Sequence, residues 1–516
     1  MSEQKKSHVN RWQIGAFVLP AIPISALGLP VSVYLPPFYE QLTGLGVGAV
    51  GLIFMFARFW DVFTDPVLGL VSDRFTTRWG RRRHWIVLSV PIIMVGAYML
   101  FMPPESVSVL YLLFWMFFMY IGYTLISIGH ISWGAELSPD YHERTRIQGW
   151  REFALVFGMF TVLAMPAVME LIENVPSPAP VEISDGAPES LPGTSNADIA
   201  ASAEETPATA EERRSRTMRE KVETMGWFII VLLPITVGIA VLNVGERPVP
   251  DHEPIHWKET FRIIQENKSL RRLLIADLLA GYAPGVSGAL YIFFIAFFVG
   301  LPGWASMILL LYFIAAFAGV PFWIQLSYKV GKHRAFSMAL LYGAIVISTY
   351  YFAPFAPFWL VLATTIAYGL AYGASPFLLR SMMADVRDYD LLHTGQERTG
   401  LYFSLLTMTS KIGGALAVGT TYLVLGYLGF SSGLGFDNSE AAIFGLGSMF
   451  IILPFVTMVF LAWFMWNFPL NQEEQEAIRE EIERRHGGAP SGDHGAMEDF
   501  AGVRPPGPPI EDGPNE

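Results

Sequence analysis

Three charges interrupt an otherwise apolar stretch, ARFWDVFTDPVLG (57–69): Arg58, Asp61 and Asp65. Their i, i+3, i+7 spacing puts them on one face of a helix, with the carboxylates one turn apart and Thr64 on the flank. Two carboxylates and a hydroxyl are all oxygen donors, which suits a hard cation. Like charges this close also favour holding one proton, so the pair can serve H⁺ as well as Na⁺. Arg58 would balance the charge when the cation leaves. A buried ion pair that only fixes helix packing is the plainer alternative. A charge at membrane depth costs at least ~2.5–3.5 kcal/mol, which favours a functional face turned to a bundle interior or a water cavity. Pro66 removes an amide donor and frees a carbonyl about one turn earlier, so a kink is expected there.

Other charged residues stand in apolar surroundings. Lys411 lies well inside LLTMTSKIGGALAVG and is expected to pair with an intramembrane carboxylate. Arg380, in FLLRSMMADV, is nearer a span end and reads as a gate residue or a snorkelling side chain. His130 and Glu136 sit in SIGHISWGAEL. A lone histidine in such a run is more often packed than liganding, yet its burial must still be compensated.

These residues need a membrane bundle to position them. The 516 residues are 52% hydrophobic and 16% charged, against about 25% charged in soluble domains. Mean hydropathy is +0.40. Apolar runs long enough to cross a bilayer recur twelve times. They fall at 12–38, 45–70, 84–103, 108–137, 150–173, 226–245, 271–298, 304–328, 335–353, 356–383, 399–429 and 441–468. The first run is too long for a cleaved signal sequence. The chain has no cysteine, which excludes disulfides, thiolate nucleophiles and cysteine metal sites. The net charge of −12 comes largely from the solvated stretches 174–225 and 471–516. No basic stripe interleaved with aromatics points to nucleic acid. No nucleotide-binding loop or metal-hydrolase spacing points to an enzyme.

Basic residues crowd the short loops on one side: DRFTTRWGRRRH (73–84), DYHERTRIQGWR (140–151), YKVGKHR (328–334) and DVRDYDLLHTGQER (385–398). The short loops on the other side carry no Lys or Arg. This asymmetry places the basic side, and with it both termini, in the cytoplasm. Asp73, Arg81, Arg82, Arg144, Arg380 and Asp385 are candidates for ion pairs that close the cytosolic side, if they are not merely topology signals and headgroup contacts. GRRR at 80–83 recurs as GKHR at 331–334, and ERT at 143–145 recurs at 397–399, both about 250 residues later. The shared offset suggests two six-helix halves. The expected organisation is 1–245, a cytosolic loop 246–270, 271–470 and a cytosolic tail 471–516. In the outer insertion 174–225, a Pro/Ser/Ala/Glu-rich part is expected to be disordered and RRSRTMREK (213–221) to form a short amphipathic helix on the membrane.

Three blocks, 57–86, 134–153 and 382–416, resemble in their order the glycoside–pentoside–hexuronide:cation symporters of the major facilitator superfamily. The resemblance implies an all-α membrane protein of twelve transmembrane helices. It implies that Asp61 and Asp65 bind the cation with Thr64 and Thr124, that Arg58 and Lys411 balance charge and couple, and that Arg151 binds solute. Ser127 and His130 fall at the same solute site. Two family features are missing: the sugar-binding carboxylates of the first and fourth helices fall at Pro20 and Ser127. Gly129 and His130 stand where relatives commonly read Pro–Tyr.

The expected activity is Na⁺- or H⁺-coupled uptake of a small solute, a glycoside or related carbohydrate, across a bacterial inner membrane by alternating access. Its expected partners are the solute, a monovalent cation and membrane lipid, with no cofactor and no nucleic acid, and the chain is expected to be a monomer. A coupled transporter of lysolipids or other amphiphiles is the first alternative, since vertebrate lysolipid symporters are distant members of the group and the first helix is nearly all apolar. It would need a lateral cleft between helices 5 and 8 or 2 and 11. A non-transporting membrane sensor is the second.

Overall fold

The computed structural model describes residues 10–470 and scattered positions to 484, leaving aside 44, 76, 105, 139–140, 175–206, 247–256, 396–397 and 433–437. All twelve expected spans are helices long and apolar enough to cross a bilayer. We number them α1 (Arg11–Val33), α2 (Val47–Arg74), α3 (Arg83–Phe101), α4 (Val109–Glu136), α5 (Tyr141–Asn174), α6 (Pro207–Asn243), α7 (Lys268–Phe298), α8 (Ala305–Val330), α9 (Lys332–Thr349), α10 (Phe358–Thr394), α11 (Thr399–Tyr427) and α12 (Glu440–Trp466). Among the described residues there is no strand. One isolated bridge, Thr77 to Gly80, closes the turn between α2 and α3.

Local chemistry sets several ends. Asn10 accepts from Trp12 while Gln13 reaches back to it, a reciprocal cap at the start of α1. Asn267 caps α7 and Ser439 caps α12 through their side-chain oxygens. Gly395 ends α10 in the left-handed conformation. α1 turns at Leu19–Pro20, where proline can supply no amide.

Two expectations change. Residues 213–221 do not form a separate surface helix, because α6 runs unbroken from Pro207 into the span. Lys221 there is buried and pairs with Glu170 of α5, so the basic segment is part of the bundle. The segment 246–270, read as a loop, contains a helix at Trp257–Glu266. It is amphipathic, with Ile263 buried. The Pro/Ser/Ala/Glu-rich stretch and most of the tail lie outside the described residues.

Twelve crossings bring the N-terminus of α1 and the C-terminus of α12 to one end, the basic end. Among the described residues, the main joins between the first six helices and the last six are α2 with α11, α5 with α8, and α1 with α7. At the opposite, far end the α2–α11 approach requires Gly51, where a Cβ would lie 2.1 Å from Tyr422 Cβ.

The far end is sealed by buried carboxylates. Glu170 of α5 accepts the amides of Ser306 and Met307 at 2.8–3.0 Å, at the N-terminus of α8, where the helix dipole favours an anion. Glu40, past the span of α1, accepts the Ser432 amide at 3.2 Å and the Ser431 hydroxyl at 3.4 Å. Desolvation pushes the Glu40 carboxyl up to about 7.

Candidate solute and cation site

The charge stripe of α2 is a single cluster at mid-depth. Lys411 of α11 places its ammonium 2.8 Å from Asp61 Oδ2 and 2.6 Å from Asp65 Oδ2. The Thr124 hydroxyl of α4 lies 3.1 Å from Asp61 Oδ1 and 2.9 Å from Asp65 Oδ1. Its one proton is shared between the two. Asp61 is fully buried and Asp65 half-buried. Three helices thus converge on two carboxylates, and the lysine comes from the other half of the chain.

Two members of the stripe act differently from the expectation. Arg58 donates to the Ser32 hydroxyl of α1, and Ser32 donates on to the Gly28 carbonyl at 2.7 Å. Lys411, not Arg58, bridges the carboxylates. Thr64 is buried, but its hydroxyl donates to the Asp61 carbonyl at 3.1 Å and not to either carboxylate. A helical threonine readily bonds a carbonyl three or four residues back. The helix runs continuously through Pro66.

With Arg58 and Lys411 against Asp61 and Asp65, the cluster is formally neutral. It can exchange one positive charge for another without leaving net charge at membrane depth. Among the described residues no group of three or more His, Cys, Asp or Glu converges as a multivalent cage would.

The solute candidates assemble nearer the basic end. His130 is fully buried and stacked on Phe17, with ring centroids 4.5 Å apart. Its Nε2 donates to the Phe17 carbonyl at 2.7 Å, beside the turn of α1. Its Nδ1 accepts from Arg151 Nε at 3.3 Å. These bonds fix one tautomer and make His130 a strut that aims Arg151. Arg151 also pairs with Glu152 at 2.9 Å. Ser127 Oγ is buried, beside the Tyr123 hydroxyl. Arg380 of α10 is exposed, within electrostatic reach of Arg151 and of Asp277 on α7.

Among the described residues, Arg81, Arg82 and Asp385 each have a partner within their own six helices. Arg81 and Arg82 both reach Glu136 at the end of α4, at 2.7 and 3.2 Å. Glu246, just past α6, accepts the amides of Arg81 and Arg82 at 2.6 and 2.8 Å and so caps α3. Gly80 permits this, with φ of 110° and Glu246 Oε2 only 2.1 Å from where a Cβ would be. Asp385 pairs with Lys332 at 2.7 Å inside the last six helices. The side chains of Asp73 and Arg144 lie outside the described residues.

The sequence reading missed Asp277, Glu40, Glu170 and Glu246. The first three were visible as carboxylates in or beside apolar runs. Nothing local marked Glu246.

A model of the family described as MFS/sugar transport protein matches residues 16–472, and the chain belongs to that family. It is a multi-pass membrane transporter and not an enzyme. A putative glycoside/cation symporter of Escherichia coli K12 is 21% identical over 86% of this chain and 89% of that protein. A glucuronide carrier protein homolog of the same organism is 19% identical over 88% and 91%. The sodium-dependent lysophosphatidylcholine symporter 1-A of Danio rerio is 22% identical over 93% and 90%. Among solved structures, the inward-open xylose transporter of E. coli superposes with a TM-score of 0.56 at 14% identity, covering 90% of this chain and 98% of that one. That likeness supports the fold.

Proposed function

We propose that the chain imports a glycoside or related carbohydrate together with Na⁺ or H⁺, in a bacterial inner membrane with both termini in the cytoplasm. The basic loops at the termini end support that orientation. The observation that carries the coupling is the Lys411 ammonium seated on Asp61 and Asp65. An incoming cation competes for the same oxygens, with Thr124 as a third donor. Binding it releases Lys411 into the cleft. An unpaired ammonium there costs at least ~2.5–3.5 kcal/mol. Solute hydroxyls that accept from Lys411 relieve this, so cation and solute bind best together. Closure of the two halves around both then carries them across.

The amphiphile reading requires a lateral cleft between α2 and α11 or between α5 and α8. Both pairs pack closely, through Gly51 against Tyr422 and through Phe160 against Phe317 at 6.3 Å, which favours the carbohydrate reading. The test is Na⁺-dependent uptake of glycosides into vesicles. Wild type should accumulate solute on a Na⁺ or H⁺ gradient and Asp61→Asn should not. Unaltered gradient-driven accumulation in the variant would remove Asp61 from the coupling site.

A further inference from the structure

Carboxylates are strong acceptors for sugar hydroxyls, yet helices 1 and 4 carry Pro20 and Ser127 where the resemblance leads one to look for them. The other half of the chain holds an intramembrane carboxylate with no part in the charge stripe. Asp277 lies in RRLLIADLLAGY (271–282) of α7 and is 6% exposed. Thr409 of α11 donates to its Oδ2 at 2.7 Å, and the Ser410 backbone lies against the same carboxylate. A carboxylate can accept about four hydrogen bonds, so these two leave capacity. Arg380 stands within electrostatic reach of Asp277 on one side and of Arg151, from the first six helices, on the other.

A tie between α7 and α11 would need only neutral partners. A carboxylate at this depth is costly to keep, and such residues line solute or ion pathways. Asp277 also belongs to the last six helices, whereas Arg151 and His130 belong to the first six. We propose that Asp277 accepts hydroxyls of a polyhydroxylated solute, so that the solute is held between the two halves, by Asp277 and Arg380 on one side and Arg151 on the other. This rests on the carbohydrate reading above and deepens it. Solute contact with both halves is what closure requires. Placing the carboxylate on α7 instead of α1 makes closure depend on the hydroxyl pattern.

The test is ligand-induced thermal stabilisation of purified full-length protein. The probes are Na⁺ alone, then p-nitrophenyl galactoside, glucoside, xyloside and glucuronide in saturating Na⁺, then monodeoxy forms of the best binder. Asp277→Asn should keep the Na⁺ response, which also reports correct folding. Its affinity for the best glycoside should fall roughly 10- to 150-fold, the loss expected for a hydrogen bond to a charged group. One deoxy analogue should bind wild type about as weakly as Asp277→Asn and be indifferent to the substitution. Thr409→Val should weaken glycoside binding less, with recovery in Thr409→Ser. Glycoside binding by Asp277→Asn equal to wild type overturns the inference and leaves the carbohydrate reading intact. Loss of the Na⁺ response with glycoside binding retained also overturns it and moves Asp277 to the coupling side. Wild type that responds to Na⁺ but to none of the four glycosides overturns the carbohydrate reading itself, and this inference with it.

Discussion

The two ends of the bundle are held by similar groups used in different ways. At the far end, carboxylates from the first six helices bond backbone amides of the last six, Glu170 on Ser306 and Met307 and Glu40 on Ser432. At the basic end, Arg81 and Arg82 meet Glu136 and Lys332 meets Asp385, partners within the same six helices. The far end is therefore latched shut between halves, while these basic-end pairs brace each half. A rocking transporter needs such asymmetry: contacts between halves must break in each cycle, and contacts within a half must survive it. The Lys411 bridge at mid-depth also joins the halves, and it sits where a cation would compete for it.

Removing the latch should have the largest effect. Glu170→Ala takes away the partner of buried Lys221 and of two helix-end amides, a loss of about 3–5 kcal/mol. The far end should then open. The chain has no native cysteine, so a single cysteine at Gly288, which faces Val33, reports this without background. Its thiol should react much faster with an impermeant reagent added from the far side.

Next is the mid-depth bridge. Lys411→Met leaves Asp61 and Asp65 without their ammonium and should tighten Na⁺ binding by roughly 100- to 4,000-fold, since a buried charge left unpaired costs about 3–5 kcal/mol. Solute should no longer improve Na⁺ affinity. Isothermal titration of Na⁺ with and without solute checks both points.

Glu40 offers a pH test of the same latch. Its carboxyl is raised to about 7 when the far end is closed, while a hydrated glutamate titrates near about 4.3. The closed form therefore binds more protons, and closure weakens as pH rises between these values, by about 1.4 kcal/mol per unit. Reactivity of the cysteine at Gly288 should climb as far-side pH goes from 5 to 7 and level off above that. In Glu40→Gln the profile should be flat.

The smallest effect belongs to the basic end. Lys332→Gln breaks a partly exposed pair worth about 0–1 kcal/mol. It should leave the reactivity at Gly288 unchanged. A large change there would show that basic-end pairs also set the balance between the two open states.

The candidate site was legible only in part. Asp61, Asp65, Thr124 and Lys411 do meet: the three charges are marked by standing in apolar runs, while Thr124 is implied only by the family resemblance. Thr64 and Arg58 shared the right face yet bond elsewhere, because a face is wide enough to serve several neighbours. Both ring nitrogens of His130 are engaged, by Phe17 and Arg151, which no spacing in the sequence reveals. Asp277 was passed over because it stands alone, without a second charge at helical spacing.

What the sequence determined by itself is what the bilayer enforces locally: the twelve spans, the basic loops on one side and the stripe of α2. Each follows from the cost of putting a given residue type in lipid. Which charge meets which was decided by the tertiary structure. Lys411 reaches Asp65 across 346 residues, and Glu170 reaches Ser306 across 136. Spacing along one helix gives a direction, but only the packing of α2 against α11 and of α5 against α8 says what lies there.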